Sequence, residues 1–80
     1  MPNKIYVGNI PWSLDEQQLE QVFAEFGKIE EVKIAKDKFS QKSRGFGFIT
    51  FDSANAAKNA ITSRHQYDVE GRLLVVSQSR

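Results

Sequence analysis

The chain has 80 residues, of which 40% are hydrophobic and 26% charged, and its 11 Lys and Arg nearly balance its 10 Asp and Glu. This length and composition predict a single folded domain over residues 1–80. Because the chain has no cysteine and one histidine, disulfides, thiolate metal sites and the common catalytic dyads and triads are excluded, and we expect no catalytic residues, no metal and no cofactor.

Neither a membrane span nor a secretory signal is recognisable in the sequence. No apolar run approaches 18 residues, and the N-terminus lacks the apolar core of a signal peptide. We therefore expect an intracellular protein, cytoplasmic or nuclear, that does not contact a membrane.

Alternating and helical periodicities divide the chain into six predicted elements. In chain order they are a strand over 4–9, a helix over 14–26, strands over 29–35 and 44–51, a helix over 54–63 and a strand over 73–77. This order predicts an α+β fold, the ferredoxin-like βαββαβ sandwich. In that fold a four-stranded antiparallel sheet carries two helices on one face, and its first and third strands are central neighbours.

The predicted helices have recognisable ends. Ser13 is predicted to cap the first helix, with Glu16 completing a capping box, and Gly27 is predicted to end it in a left-handed conformation. Ser53 is predicted to cap the second helix. The segment 65–72 shows no periodicity and is predicted to be irregular, with a turn at its glycine.

The third strand alternates strictly between two sets of side chains. One set fits beneath the helices: Gly45, Gly47, Ile49 and Phe51. The other set is left on the uncovered face of the sheet: Arg44, Phe46, Phe48 and Thr50. Tyr6, on the neighbouring first strand, is predicted to join the two phenylalanines. Exposed aromatic clusters usually mark a binding site.

Cationic residues are expected to surround these three rings. Lys33 and Arg44 flank them, and a basic loop that contains Lys36, Lys38 and Lys42 overhangs one side. Bases of a single-stranded nucleic acid can stack on such rings, and an arginine can hold a phosphate with two hydrogen bonds. The acidic residues, by contrast, concentrate between residues 13 and 31.

Two segments resemble the motifs of a known family, the RNA recognition motif (RRM) family. The octamer Arg44–Phe51 resembles the family's first ribonucleoprotein motif at every position, and Ile5–Ile10 resembles its second. The resemblance covers nearly the whole chain. It implies a non-catalytic module that binds single-stranded RNA on the sheet surface.

The resemblance also implies roles for individual residues. By position, Tyr6 and Phe48 resemble the two base-stacking residues, Phe46 the ring that packs between two sugars, and Arg44 the phosphate or salt-bridge partner. The candidate RNA-binding residues are Tyr6, Phe46, Phe48, Arg44, Asn9, Lys4, Lys33, Lys42, Gln78 and Arg80. We expect a monomer whose partner is single-stranded RNA, with single-stranded DNA and a protein partner left open.

Two apolar residues, Phe39 and Val75, depart from the family pattern, and the sequence leaves two alternative roles for Phe39 and for Trp12. Phe39 stands in the basic loop where many relatives carry an acid, and it either inserts beside a base or, as we expect, folds back on the loop. Trp12 either stacks a base or, as we expect, covers the start of the first helix. Val75 occupies a place on the open face where relatives often carry Lys or Arg.

Two other functions are compatible with the predicted topology. The same fold can be a protein-interaction module that uses its aromatic face or its acidic first helix. A small hydrolase such as an acylphosphatase shares the topology, but it needs an arginine in a phosphate-binding loop after the first strand, and this chain has Asn9-Ile10-Pro11-Trp12 there.

Overall fold

A computed structural model describes residues 3–40 and 43–79. Its elements in chain order are β1 (Lys4–Gly8), α1 (Glu16–Phe23), a 3₁₀ turn (Ala24–Phe26), β2 (Ile29–Lys36), β3 (Ser43–Phe51), α2 (Ala54–Arg64), β4 (Asp68–Val69), β5 (Arg72–Leu73) and β6 (Val75–Gln78). The strands β2-β3-β1-β6 form an antiparallel sheet in that order. The predicted ferredoxin-like sheet, with β1 and β3 at its centre, is confirmed.

The hydrophobic core lies between the two helices and one face of the sheet. Its strand residues include Ile5, Val7, Ile49 and Phe51, and its helix residues include Leu19, Phe23, Ala56, Ala57 and Ala60. The three alanines leave α2 with a smooth inner face, so this helix can pack close to the strands. The alternate residues of β1 and β3 therefore face away from both helices. Neither helix of the described residues is long and apolar enough to cross a bilayer.

Helix α1 begins two residues later than predicted. Asp15, not Ser13, is the N-cap: its carboxylate accepts from the Gln18 backbone N–H at 2.8 Å, and the Gln18 side chain accepts from the Asp15 N–H at 3.0 Å. The Ser13 hydroxyl instead donates to Glu70. The prediction of a Ser13 cap was therefore wrong, although a capping box is present.

Gly27 ends the helical segment in a conformation that favours glycine, but not the predicted left-handed one. Its φ is 156° and its ψ is −177°. A Cβ atom at this position would lie 2.7 Å from the Cβ of Ala56 in α2. The close approach of the two helical segments therefore explains the glycine.

The segment between α2 and β6 is more regular than predicted. Strands β4 and β5 form a short antiparallel hairpin, with Asp68 opposite Leu73. Just before it, His65 Nδ1 accepts a hydrogen bond from the Val76 backbone N–H at 3.2 Å. The Leu74 N–H donates to the Tyr67 carbonyl at 2.9 Å. Because β6 is an edge strand of the sheet, the hydrogen bond from Val76 to His65 satisfies a backbone N–H group that has no neighbouring strand. His65 therefore has a structural role.

Candidate nucleic-acid interface

Three aromatic rings lie together on the face of the sheet that the helices leave open. Tyr6 of β1 is directly opposite Phe48 of β3, and their ring centroids are 5.8 Å apart. Phe46 lies 6.1 Å from Tyr6 and 6.3 Å from Phe48. All three rings are partly exposed. The rings therefore form one continuous aromatic surface, made of edge-to-face and inclined contacts that are favourable for aromatic pairs.

Two glycines shape this surface. A Cβ atom at Gly8 would lie 2.6 Å from the Tyr6 hydroxyl oxygen and 2.9 Å from Tyr6 Cε1, so the ring of Tyr6 extends along β1 over Gly8. A Cβ atom at Gly47 would collide with the backbone carbonyl of Lys33 on β2. Gly8 thus leaves the space that the Tyr6 ring occupies, and Gly47 allows β2 to approach β3.

Cationic side chains lie against two of the rings. Lys4 Nζ is 5.0 Å from the centroid of Phe48, and Arg44 Cζ is 5.9 Å from the centroid of Phe46. Both distances are within the range of cation–π attraction, which is about 6 Å. Lys33 is exposed and lies opposite Phe48 in the register of β2 and β3. Each ring of β3 therefore has a positive charge beside it.

Asn9 is close to this surface but has structural partners. Its Nδ2 donates to the Leu73 carbonyl at 2.9 Å, and its Oδ1 accepts from Arg72 at 3.3 Å. Asn9 also adopts a positive φ of 56° at the end of β1. The side chain thus joins β1 to the β4–β5 hairpin.

Gln78, a predicted RNA-binding residue near the C-terminus, does not lie beside the rings. Gln78 lines a groove with Ala54, Lys58 and Ile61 of α2, so it lies on the helix side of β6, away from the three rings. Ser77, which the sequence analysis did not select, is opposite Tyr6 and shares its face. Alternation along β6 would have identified it. Lys42 and Arg80 lie outside the described residues.

The loop after β2 starts with an ordered turn. Asp37 Oδ1 accepts from the backbone N–H groups of Phe39 and Ser40, both at 2.9 Å. These hydrogen bonds, first that of Ser40 and then that of Phe39, lower the pKa of Asp37 below its ordinary value, and the charge of Arg44 adds to the effect. Asp37 is therefore a charged acceptor at neutral pH.

Phe39 and Trp12 are both exposed. Phe39 is 93% exposed and Trp12 is 67% exposed. The prediction that Phe39 folds back on its loop was wrong, since a ring packed against its own loop would lose far more of its surface. Trp12 has about two thirds of its surface in solvent, while Leu14, two residues on, is buried, so whether Trp12 covers the start of α1 or stacks a base stays a prediction.

Acidic residues line a groove on another surface, between α1 and the edge strand β2. The residues that line it are Glu16, Gln17, Glu20, Ile29, Glu30, Glu31 and Val32. Glu16 also accepts from the Ile34 backbone N–H at 3.4 Å and lies 3.6 Å from Lys36 Nζ. Among residues 3–40 and 43–79, no group of three His, Asp or Glu side chains is placed to hold a metal ion.

The model of one protein family, described as the RNA recognition motif, matches residues 5–75 of this chain. The match includes both strands that carry the aromatic rings.

Curated relatives from plants align over almost the whole chain. The chain is 45% identical over 75 residues to the 29 kDa ribonucleoprotein A, chloroplastic, of Nicotiana sylvestris, which covers 94% of this chain and 28% of the relative. It is 43% identical over 77 residues to the RNA-binding protein CP29B, chloroplastic, of Arabidopsis thaliana, with 96% and 27% covered. The chain thus spans about a quarter of the length of these relatives.

Solved structures have the same fold. One of them is described as the Rna15 RRM with bound RNA (GU). It is 25% identical to this chain and superposes with a TM-score of 0.88 over 96% of this chain and 82% of its own.

Proposed function

Because this chain belongs to the RNA recognition motif family, we propose that it is a non-catalytic module that binds single-stranded RNA on the open face of its sheet. One observation carries the proposal: Tyr6, Phe46 and Phe48 form a continuous aromatic surface with a positive charge beside each ring of β3. The name of the solved complex, an RRM with bound RNA, supports RNA as the ligand.

In this proposal the rings hold the bases and the cations hold the phosphates. Tyr6 and Phe48 stack one base each, Phe46 packs against the sugars, and Arg44 pairs with a phosphate. Lys4 and Lys33 add positive charge at either side of Phe48. A duplex cannot use this surface, because its bases are already stacked on one another and offer no free face.

The test is a binding titration with fluorescently labelled single-stranded RNA. Phe48→Ala should weaken binding by about fivefold to 150-fold, since base–aromatic stacking contributes about 1–3 kcal/mol per base. Phe48→Tyr keeps the ring and should bind nearly as well as the unmodified protein. Lys58→Ala, on α2, removes an exposed charge from the helix side and is the matched control. If Phe48→Ala binds as tightly as the Lys58→Ala control, the proposal fails.

The same titration at several salt concentrations counts the phosphate contacts. For single strands the logarithm of affinity falls by about 0.7 per phosphate contact for each unit of log salt, so three contacts give a slope of about −2. A slope that does not change when Arg44 is replaced by Gln would show that this arginine holds no phosphate.

The competing function, a protein-interaction module, would use the acidic groove or the aromatic face without its cations. Such a module should keep its partner at high salt after Arg44 is replaced. The names of the plant relatives describe RNA-binding proteins and ribonucleoproteins, which favours RNA. Those names also place the relatives in the chloroplast, a compartment inside the cell. For this chain, a location in the cytoplasm or the nucleus stays a prediction. Its monomeric state also stays a prediction.

A further inference from the structure

We propose that copies of this protein associate weakly with one another, with Trp12 of one copy inserted into the groove between α2 and β6 of the next. The groove lies on the helix side of β6, away from the three aromatic rings. The contact therefore does not depend on the proposed function.

The groove has the size and the lining of a site for an aromatic side chain. Its volume is about 310 Å³, and it is lined by Ala54, Lys58, Ile61 and Gln78. Ligand pockets in proteins start at about 300 Å³. Ala54 and Ile61 offer apolar contact, and the side-chain oxygen of Gln78 can accept the hydrogen bond that the N–H group of a buried indole needs.

Trp12 is an aromatic side chain without a cover of its own. It is 67% exposed, although tryptophan is on average a highly buried residue. Its loop is tied to the β4–β5 hairpin on both sides of the ring: Asn9 Nδ2 donates to the Leu73 carbonyl at 2.9 Å, and the Ser13 hydroxyl donates to Glu70 at 3.1 Å. Because this backbone is already held, less conformational entropy is lost when the ring inserts.

Trp12 cannot fill the groove of its own molecule. Gln78 pairs with Ile5 near the start of β1, whereas Val75 pairs with Gly8 at its end. Trp12 follows that end, so the ring and the groove lie at opposite ends of β1. The ring in the groove must therefore come from another molecule, and such a contact is heterologous: each pair keeps one unused ring and one unused groove.

Charge on the two surfaces is complementary. Two exposed carboxylates accompany Trp12: Asp15, shortly after it, and Glu70, which accepts from the neighbouring Ser13. Of the residues that line the groove only Lys58 is charged, and α2 contains no acidic residue. The acids beside Trp12 thus approach a positive groove, and Lys58 can also lie over the face of the indole ring.

The other strongly exposed ring fits the groove less well. Phe39 is 93% exposed, but it directly follows Lys38 in the chain. Inserting Phe39 would bring a second positive charge toward Lys58, and like charges at close range disfavour a contact. Charge therefore favours Trp12 over Phe39 as the occupant.

The association should be weak, because its area is small. A fully enclosed aromatic side chain buries about 150–250 Å². Stable complexes bury about 1,200–2,000 Å² in total. Dilute protein should therefore stay monomeric, and the contact should form at high concentration, or where neighbouring copies are held on one RNA strand under the proposed function.

The experiment uses the fluorescence of Trp12, which is the only tryptophan of the chain. Protein with Trp12→Ala has no tryptophan but keeps the groove, and it is added in excess to dilute unmodified protein. The tryptophan emission should move to shorter wavelength, with half of the change at about 0.1–1 mM of the tryptophan-free protein. Because Trp12 is mostly exposed, the alanine variant is expected to fold, which circular dichroism checks.

Two matched variants of the tryptophan-free protein locate the contact. Ala54→Glu places a carboxylate in the groove and should weaken the association at least about tenfold, because it meets the acids beside Trp12. Position 54 is the first residue of α2, where a carboxylate is favourable, so the fold is retained. Asn55→Glu puts the same charge on the next residue, outside the groove, and should leave the emission change as it was.

Four outcomes overturn the inference. With no emission change at millimolar tryptophan-free protein, the groove does not take the ring. An equal change with Ala54→Glu would place the ring elsewhere. A change seen on concentrating the unmodified protein, but not on adding the tryptophan-free protein, would mean that two Trp12 rings meet each other. A change caused by single-stranded RNA alone would assign Trp12 to a base. None of these results alters the test of the sheet by Phe48→Ala, so the proposed function stands or falls separately.

Discussion

The ring of Tyr6 occupies the space that a side chain at position 8 would take. The contacts are with the hydroxyl oxygen and Cε1 of Tyr6, the outer part of a movable ring, and not with the backbone. Gly8→Ala should therefore displace the ring while changing the free energy of unfolding by no more than about 1 kcal/mol. RNA binding should weaken by about 1 kcal/mol, because the displaced ring stacks less well on its base.

A double-mutant cycle tests this explanation. If Gly8 acts only through the position of the Tyr6 ring, Gly8→Ala should have no further effect on affinity in a Tyr6→Ala background. Isothermal titration calorimetry on the four proteins measures the coupling. Additive effects of the two substitutions would show that Gly8 acts by another route.

The rings of the interface could be predicted from the sequence because each depends on local alternation. Tyr6, Phe46 and Phe48 follow from the period of two along β1 and β3. Gln78 was predicted to lie beyond the last strand, but β6 continues through it and turns its side chain toward α2. The partners of Asn9 are 63 and 64 positions away in the chain, so no local pattern indicates them.

Helix α1 carries two overlapping capping patterns, and only one of them is used. Asp15 and Gln18 form the capping box. Asp15→Ala should lower the free energy of unfolding by about 1 kcal/mol, the usual cost of losing an N-cap. Ser13→Ala should change it by less than about 0.5 kcal/mol, because the Ser13 hydroxyl makes only an exposed hydrogen bond to Glu70.

Urea denaturation of the two variants measures both values. Equal losses, or a larger loss for Ser13→Ala, would contradict the assignment of Asp15 as the cap. The sequence alone could not choose between the patterns, because the choice depends on long-range contacts. Glu16, the predicted partner of Ser13, instead accepts from Ile34 on β2.

The elements that could be predicted from the sequence are those long enough for the periodic pattern of apolar residues to be recognised. Strands β1, β2 and β3 and both helices were found within a few residues of their observed bounds. Strands β4 and β5 have two residues each, which is too short for alternation to be recognised. Their hairpin is instead held by long-range bonds, such as that from Asn9 to the Leu73 carbonyl.

On the scale of the whole molecule, the net charge of +1 conceals a division into surfaces of opposite sign. Lys4, Lys33 and Arg44 accompany the aromatic surface. The groove between α1 and β2 is lined by four glutamates. A polyanion is attracted to the first surface and repelled by the second, so under the proposed function this charge distribution would orient RNA toward the open face of the sheet.

The central claim is that this open face is where RNA binds. The most direct test is to map the backbone amide chemical shifts of the labelled protein during titration with single-stranded RNA. One such experiment shows which strands and helices change their surroundings when RNA is added. We expect the largest changes in β1 and β3, around Tyr6, Phe46 and Phe48, and small changes in α1 and α2. Changes confined to the groove between α1 and β2, or none in β1 and β3 at saturating RNA, would contradict the account.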